Sequence, residues 1–156
     1  MRLTLCAVGR LRRGPLLEVF QDFQTRVDRT GKQRGLGPLS VVEVEDKTSQ
    51  GSQAEADLLI RALPQDAYLI ALDERGKTLS SPQFATHLET VRDQGYGTCA
   101  FVIGGADGLT PELRAKAHLR LSFGPMVWPH MLARVMLAEQ LYRATAILTG
   151  APYHRA

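Results

Sequence analysis

The sequence predicts an α/β fold, an open and mainly parallel sheet with helices on both faces. Three observations lead there. Short runs apolar on both faces (3–8, 68–72, 99–103) alternate with longer stretches of helical periodicity. Glycine or proline punctuates the junctions, and 156 residues hold a single domain over 1–156 but fall short of a barrel. In order, Leu3-Thr4-Leu5-Cys6-Ala7-Val8 is a β-rich run stopped by Gly9, after which Leu16, Leu17, Val19, Phe20, Phe23 and Val27 recur at helical spacing up to Gly31. Beyond the breaker at 35–38, Leu39-Ser40-Val41-Val42-Glu43-Val44 makes a second strand. A polar loop then leads to a helix marked by Ala54, Leu58, Leu59 and Ala62 and stopped at Pro64.

Tyr68-Leu69-Ile70-Ala71-Leu72 is the third strand. The segment 81–94 reads as a helix with Ser80 or Ser81 as N-cap, Pro82 in its first turn and Gly95 as its stop. Cys99-Ala100-Phe101-Val102-Ile103 is the fourth strand, followed by a glycine turn and a helix start at Thr110-Pro111-Glu112. Residues 119–123 give a short fifth strand, and a long last helix opens near Pro129 and ends before Gly150.

Composition narrows the class. Apolar residues at 44% and charged residues at 22% are those of an ordinary folded domain rather than a disordered chain. No apolar run reaches the roughly 20 residues that cross a bilayer; the fattest, 131–141, is broken by Arg134, Glu139 and Gln140. The opening nine residues are too short for a signal peptide, so a cytoplasmic protein with no membrane contact is expected. Cys6 and Cys99 stand apart, each inside a strand, and read as buried thiols. His87, His118, His130 and His154 are scattered without ligand spacing, so no metal is expected.

The net charge of +3 hides an uneven distribution. Between residues 10 and 34 stand Arg10, Arg12, Arg13, Arg26, Arg29, Lys32 and Arg34 against Glu18, Asp22 and Asp28. Such a segment can neutralise phosphates, with counterion release making the affinity salt-dependent; a solvated helix face is the plainer reading.

In open parallel sheets ligands sit beyond the carboxyl ends of the strands, which directs attention to the turns after Leu72, Ile103 and Phe123. Asp73-Glu74-Arg75-Gly76-Lys77 follows the first, and Gly104-Gly105-Ala106-Asp107-Gly108 the second. Neither is Gly-x-Gly-x-x-Gly or a P-loop, so dinucleotide and nucleoside-triphosphate sites fail on residue type. The third turn, Phe123-Gly124-Pro125-Met126-Val127-Trp128-Pro129-His130, is stiffened by two prolines and suits a planar ring held by backbone groups. Arg134, Glu139, Gln140 and Arg143 lie within the most apolar helix and require partners, in an interface, at a site, or at a rim reached by snorkelling.

The order Leu72-Asp73, Val102-Ile103-Gly104-Gly105-x-x-Gly108-Leu109, Pro129-His130-x-x-x-Arg134-Val135-x-x-x-Glu139-Gln140-Leu141-Tyr142-Arg143-Ala144 and terminal Pro152-Tyr153-His154-Arg155 resembles the ribosomal RNA large subunit methyltransferase H family of the SPOUT class. The resemblance spans the whole chain. It implies an α/β domain with a C-terminal trefoil knot, methylating nitrogen 3 of a pseudouridine in 23S rRNA of the assembled ribosome, with S-adenosyl-L-methionine as cofactor and a homodimer as the working unit. By position it implies cofactor binding at Leu72, Gly104, Phe123, Gly124, Pro125, Met126, Val127 and Trp128. Backbone contacts in that loop carry over better than side-chain ones. His154 is the candidate proton relay, Arg155 or Arg134 the offset for charge on the ring or a phosphate, and Tyr153 the residue that stacks on or orients the base. Arg10, Arg12, Arg13, Arg75 and Lys77 are the candidates for rRNA backbone contact. A different RNA substrate such as tRNA, or a non-enzymatic ribosome-binding role, are the alternatives.

Overall fold

The computed structural model describes residues 1–47 and 51–154. Its elements follow the sequence reading closely: β1 (Arg2–Val8), α1 (Pro15–Gly31), β2 (Leu39–Val44), α2 (Ser52–Ala62), β3 (Tyr68–Thr78), α3 (Ser81–Asp93), β4 (Thr98–Ile103), α4 (Pro111–Lys116), β5 (Leu119–Ser122) and α5 (His130–Thr149). The five strands form one sheet in the order β2-β1-β4-β3-β5, and every neighbouring pair is parallel. Ser80, not Ser81, caps α3. Its hydroxyl accepts from the Gln83 amide at 3.3 Å and the Gln83 side chain accepts from the Ser80 amide at 2.8 Å, satisfying two helix-end donors reciprocally.

Side-chain alternation sorts the strands onto two faces. Leu3, Leu5 and Ala7 of β1, with Cys99, Phe101 and Ile103 of β4, pack under α1, α3 and α5. Cys6 and Val8, with Ala100 and Val102, face α2 and α4. The larger residues lie on the side that three helices cover, and both cysteines are buried free thiols. Burial pushes the Cys6 thiol up to about 11 and the Cys99 thiol higher, so both stay protonated and inert.

One element departs from expectation. The third strand does not end at Leu72: the register slips so that Leu72 and Lys77 both lie opposite Leu121, with 73–76 bulging out between them. Gly76 permits the return, because a Cβ there would stand 2.6 Å from the Arg120 carbonyl oxygen. The bulge carries Glu74 and Arg75 out to solvent, while the Asp73 side chain stays buried.

The last helix is fixed by a buried charge. Arg134 is only 1% exposed. Its Nη1 donates to Glu43 Oε1 of β2 at 3.1 Å, and its Nη2 donates to the carbonyls of Val8 and, at 2.9 Å, Gly9 at the end of β1. The same Glu43 oxygen accepts from the Leu11 amide at 2.8 Å. Two strand ends, the following loop and α5 are thereby tied at one point. Arg134→Ala would strand a carboxylate and two carbonyls, and removing one member of a buried pair costs about 3 kcal/mol or more. Urea unfolding should show that loss, and Glu43→Gln, which takes the counter-charge from the more buried member of the pair, should show one of similar size.

Candidate functional site

The turns after β3, β4 and β5 meet around one open cavity of about 280 Å³ at the carboxyl ends of those strands. Leu72, Gly104, Phe123, Gly124, Met126, Val127 and Trp128, all expected there from sequence, line it. Pro125 does not; it sits exposed at the tip of the loop. Leu109 and Leu121 add apolar wall, and the 104–108 turn presents main chain. This mixture of apolar flank and bare backbone suits a flat heterocycle read by amides and carbonyls.

Two local devices shape the cavity. A Cβ on Gly104 would meet the Gly108 carbonyl carbon and oxygen at 2.6 Å, so the turn closes on itself only because the residue is glycine. The Ser122 hydroxyl, buried at the end of β5, accepts from the Gly124 amide at 3.0 Å and can donate to the carbonyl of Glu74 at 3.0 Å or of Gly124 at 3.1 Å. It links the 123–129 loop to the bulge in β3. The loop's outer side is bare, with Val127 81% exposed.

Several polar side chains to which the sequence reading gave no site role line the cavity, among them Asp73, Arg114 and His130. The Asp73 side chain is only 7% exposed. Its Oδ1 accepts from the Arg75 amide at 3.1 Å, while buried Oδ2 has no hydrogen-bond partner among the described residues and stands 3.8 Å from Arg114 Nη1. His130, at the start of α5, has a buried Nδ1 without a hydrogen bond. Burial and then the Arg134 charge push its pKa below the ordinary value, keeping the ring neutral at pH 7. The signal for Asp73 was its place directly after a strand end; nothing in sequence singled out Arg114.

The tail folds back on α5. Tyr153 Oη donates to Glu139 Oε1 at 3.0 Å, and Arg143 donates to the same carboxylate. The Tyr153 ring lies under the Arg143 guanidinium at 4.8 Å and against Tyr142 at 4.5 Å. Burial and the Glu139 charge raise the phenol's pKa, so it remains a donor. Gln140 joins the cluster, donating to Glu139 Oε2 at 2.7 Å and accepting from Ser81 at 2.7 Å. His154 is half-buried, its Nδ1 without a hydrogen bond among the described residues, and Arg155 lies outside them.

The expected site residues thus fall into separate groups. Tyr153 and His154 do not line the cavity beside Gly104. Arg134 offers no free guanidinium to it, because its two terminal nitrogens are bound in the clamp at β1 and β2. An apolar groove of about 550 Å³ bridges the gap: Phe123 and Gly124 form one part of its wall, Met136 and Glu139 another. Arg10, Arg12, Arg13, Arg75 and Lys77 are all exposed. Farther along the basic segment, Arg26 pairs with Asp22 at 2.8 Å and Arg34 with Glu89 at 2.7 Å, which removes them from the free positive surface.

Comparison with known proteins places these features in a family. A family model described as "Predicted SPOUT methyltransferase" matches residues 1–154. The chain is 65% identical over 155 residues to the ribosomal RNA large subunit methyltransferase H of Dinoroseobacter shibae, and 61% identical over the same length to that of Ruegeria pomeroyi; each alignment covers 99% of both chains. Among solved structures, a probable methyltransferase from Bordetella pertussis Tohama I superposes with a TM-score of 0.52 at 17% identity, covering 92% of this chain and 96% of that one, a likeness of fold.

The Gly104 turn offers a direct test. Gly104→Ala forces the 104–108 main chain apart, and overpacking of this kind costs about 1–3 kcal/mol. Calorimetric titration with S-adenosylmethionine, the cofactor the sequence resemblance implies, should show roughly tenfold weaker binding or worse, with the thermal unfolding transition retained.

Proposed function

The chain belongs to the SPOUT methyltransferase family, and from that premise we propose that it methylates nitrogen 3 of a pseudouridine in 23S rRNA, on the assembled ribosome, with S-adenosylmethionine as methyl donor and as a homodimer. The observation that carries the reading is the convergence of Leu72, Gly104 and the 123–128 loop on one cavity. It supports a bound adenosyl group by residue type: apolar walls for the base, unencumbered main chain for its edge, and a buried carboxylate oxygen lacking a hydrogen-bond donor. When bound, the cofactor supplies a methyl group on a positively charged sulfur.

The protein's share of the reaction is then positioning, exclusion of water and removal of a proton. The ring nitrogen must lose its hydrogen as it gains the methyl group. A neutral imidazole is a suited acceptor at physiological pH, and His154, held beside the anchored Tyr153, is assigned that proton. Tyr153, its ring already packed between Arg143 and Tyr142 and its hydroxyl held by Glu139, serves to hold the tail in place rather than to stack on the base. Arg155 is assigned the offset of negative charge on the ring or a phosphate, and Arg134 acts at a distance by seating α5.

Since Tyr153 and His154 do not line the cavity within one chain, the dimer is the economical way to join them, with the tail of one subunit set against the cavity of the other. The groove beside Phe123, Met136 and Glu139 supplies an apolar surface for that contact. Recognition of an assembled ribosomal surface suits a chain this small better than reading a naked sequence, and exposed Arg10, Arg12, Arg13, Arg75 and Lys77 supply phosphate contacts without base specificity.

Mass spectrometry of 23S rRNA nucleosides from cells with and without the gene tests the whole reading, and methyl transfer to purified ribosomes against tRNA separates the substrates. His154→Ala should lower single-turnover methylation by about 10²–10⁴, the usual share of a positioned base, with cofactor affinity within about twofold of the parent. Unchanged turnover would remove His154 from the chemistry. Reversing charge with Arg12→Glu and Arg13→Glu should weaken ribosome binding strongly at low salt and little at high salt; a response that ignores salt would contradict the phosphate assignment.

A further inference from the structure

We propose that Asp73 and Arg114 together form the subsite for the amino-acid end of the cofactor, Asp73 taking its α-ammonium and Arg114 its α-carboxylate. The inference rests on the adenosyl reading of the cavity and adds the part that main-chain contacts cannot supply. Both residues line the cavity from one side, Asp73 on the bulge of β3 and Arg114 on α4. The Asp73 side chain is more than nine-tenths buried, and Oδ2 lacks any hydrogen bond among the described residues. A buried carboxylate oxygen left so is costly, which makes it a place prepared for a donor.

The one ion pair of that oxygen among the described residues is with Arg114 Nη1, at 3.8 Å. That is ion-pair range but too long for a hydrogen bond. Arg114, with its side chain 23% exposed, has no other ion pair among the described residues. A tighter pair would satisfy itself and offer a ligand nothing. A loose one leaves a bonding direction open on each partner. An amino acid carries its ammonium and carboxylate on one carbon, so it can set opposite charges against both members at once, and the four charges alternate in sign. Asp73 is held for this by the Arg75 amide on Oδ1, which leaves Oδ2 as the free atom. The guanidinium fits the carboxylate by its planar donor geometry.

The test compares three adenosyl compounds by calorimetry on the full chain. S-adenosylhomocysteine keeps both charged groups, decarboxylated S-adenosylmethionine keeps only the ammonium, and methylthioadenosine has neither. Asp73→Asn should weaken the first two by about tenfold or more and leave methylthioadenosine within about twofold, since a charge-assisted bond is lost while the adenosine contacts stay. Arg114→Gln should weaken S-adenosylhomocysteine by about tenfold and leave the other two within about twofold. Retained methylthioadenosine binding doubles as the check that a variant is folded, and Arg114→Gln carries the test by itself if Asp73→Asn unfolds. An equal loss for all three compounds, or no loss for any, overturns the subsite. Failure of the parent protein to bind any of the three overturns the cofactor reading itself.

Discussion

A charged side chain that is 1% exposed must have its needs met inside the protein, and that requirement at Arg134 organises the edge of the sheet where α5 begins. Burial pushes its pKa down while Glu43 pulls it up, and the guanidinium is held by one carboxylate and two main-chain carbonyls. These bonds, made by the two terminal nitrogens, fix the first turns of α5 against the ends of β1 and β2. The chain between β5 and α5 must then span a set distance, and its path becomes the lip of the cavity. The position of that lip is therefore decided by an interaction that never touches it.

The sheet contributes the other constraint. With all strands parallel, every strand-to-helix turn opens on the same edge, so residues 72, 104 and 123, far apart in sequence, become neighbours. Strand order puts β3 between β4 and β5, which brings those three turns together and leaves the ends of β1 and β2 for the Arg134 clamp. The two halves of the edge thus do different work: one holds α5 and the other holds the cavity.

Most of the fold was legible because apolar periodicity and the Gly and Pro punctuation agreed at each junction, as at Gly9, Pro64 and Gly150. The bulge in β3 was not legible, since it depends on how closely Gly76 approaches the Arg120 main chain, a distance no local pattern encodes. The cavity-lining residues were reached through family resemblance, with Pro125 the one member that faces away. Arg134 shows the opposite limit. Its place in the matched motif suggested chemistry, yet only packing reveals that its partners are Glu43 and two carbonyls. The pairing of Asp73 with Arg114 was not legible, because it lies in a distance between side chains far apart in the chain.

Ser122 has one hydroxyl proton and two carbonyls within reach, those of Glu74 and Gly124, at nearly equal distance. Serving either leaves the other free, and a rotation about one bond exchanges them. Two carbonyls from different parts of the chain thus share one proton, so the loop after β5 and the bulge of β3 are joined at a single side chain.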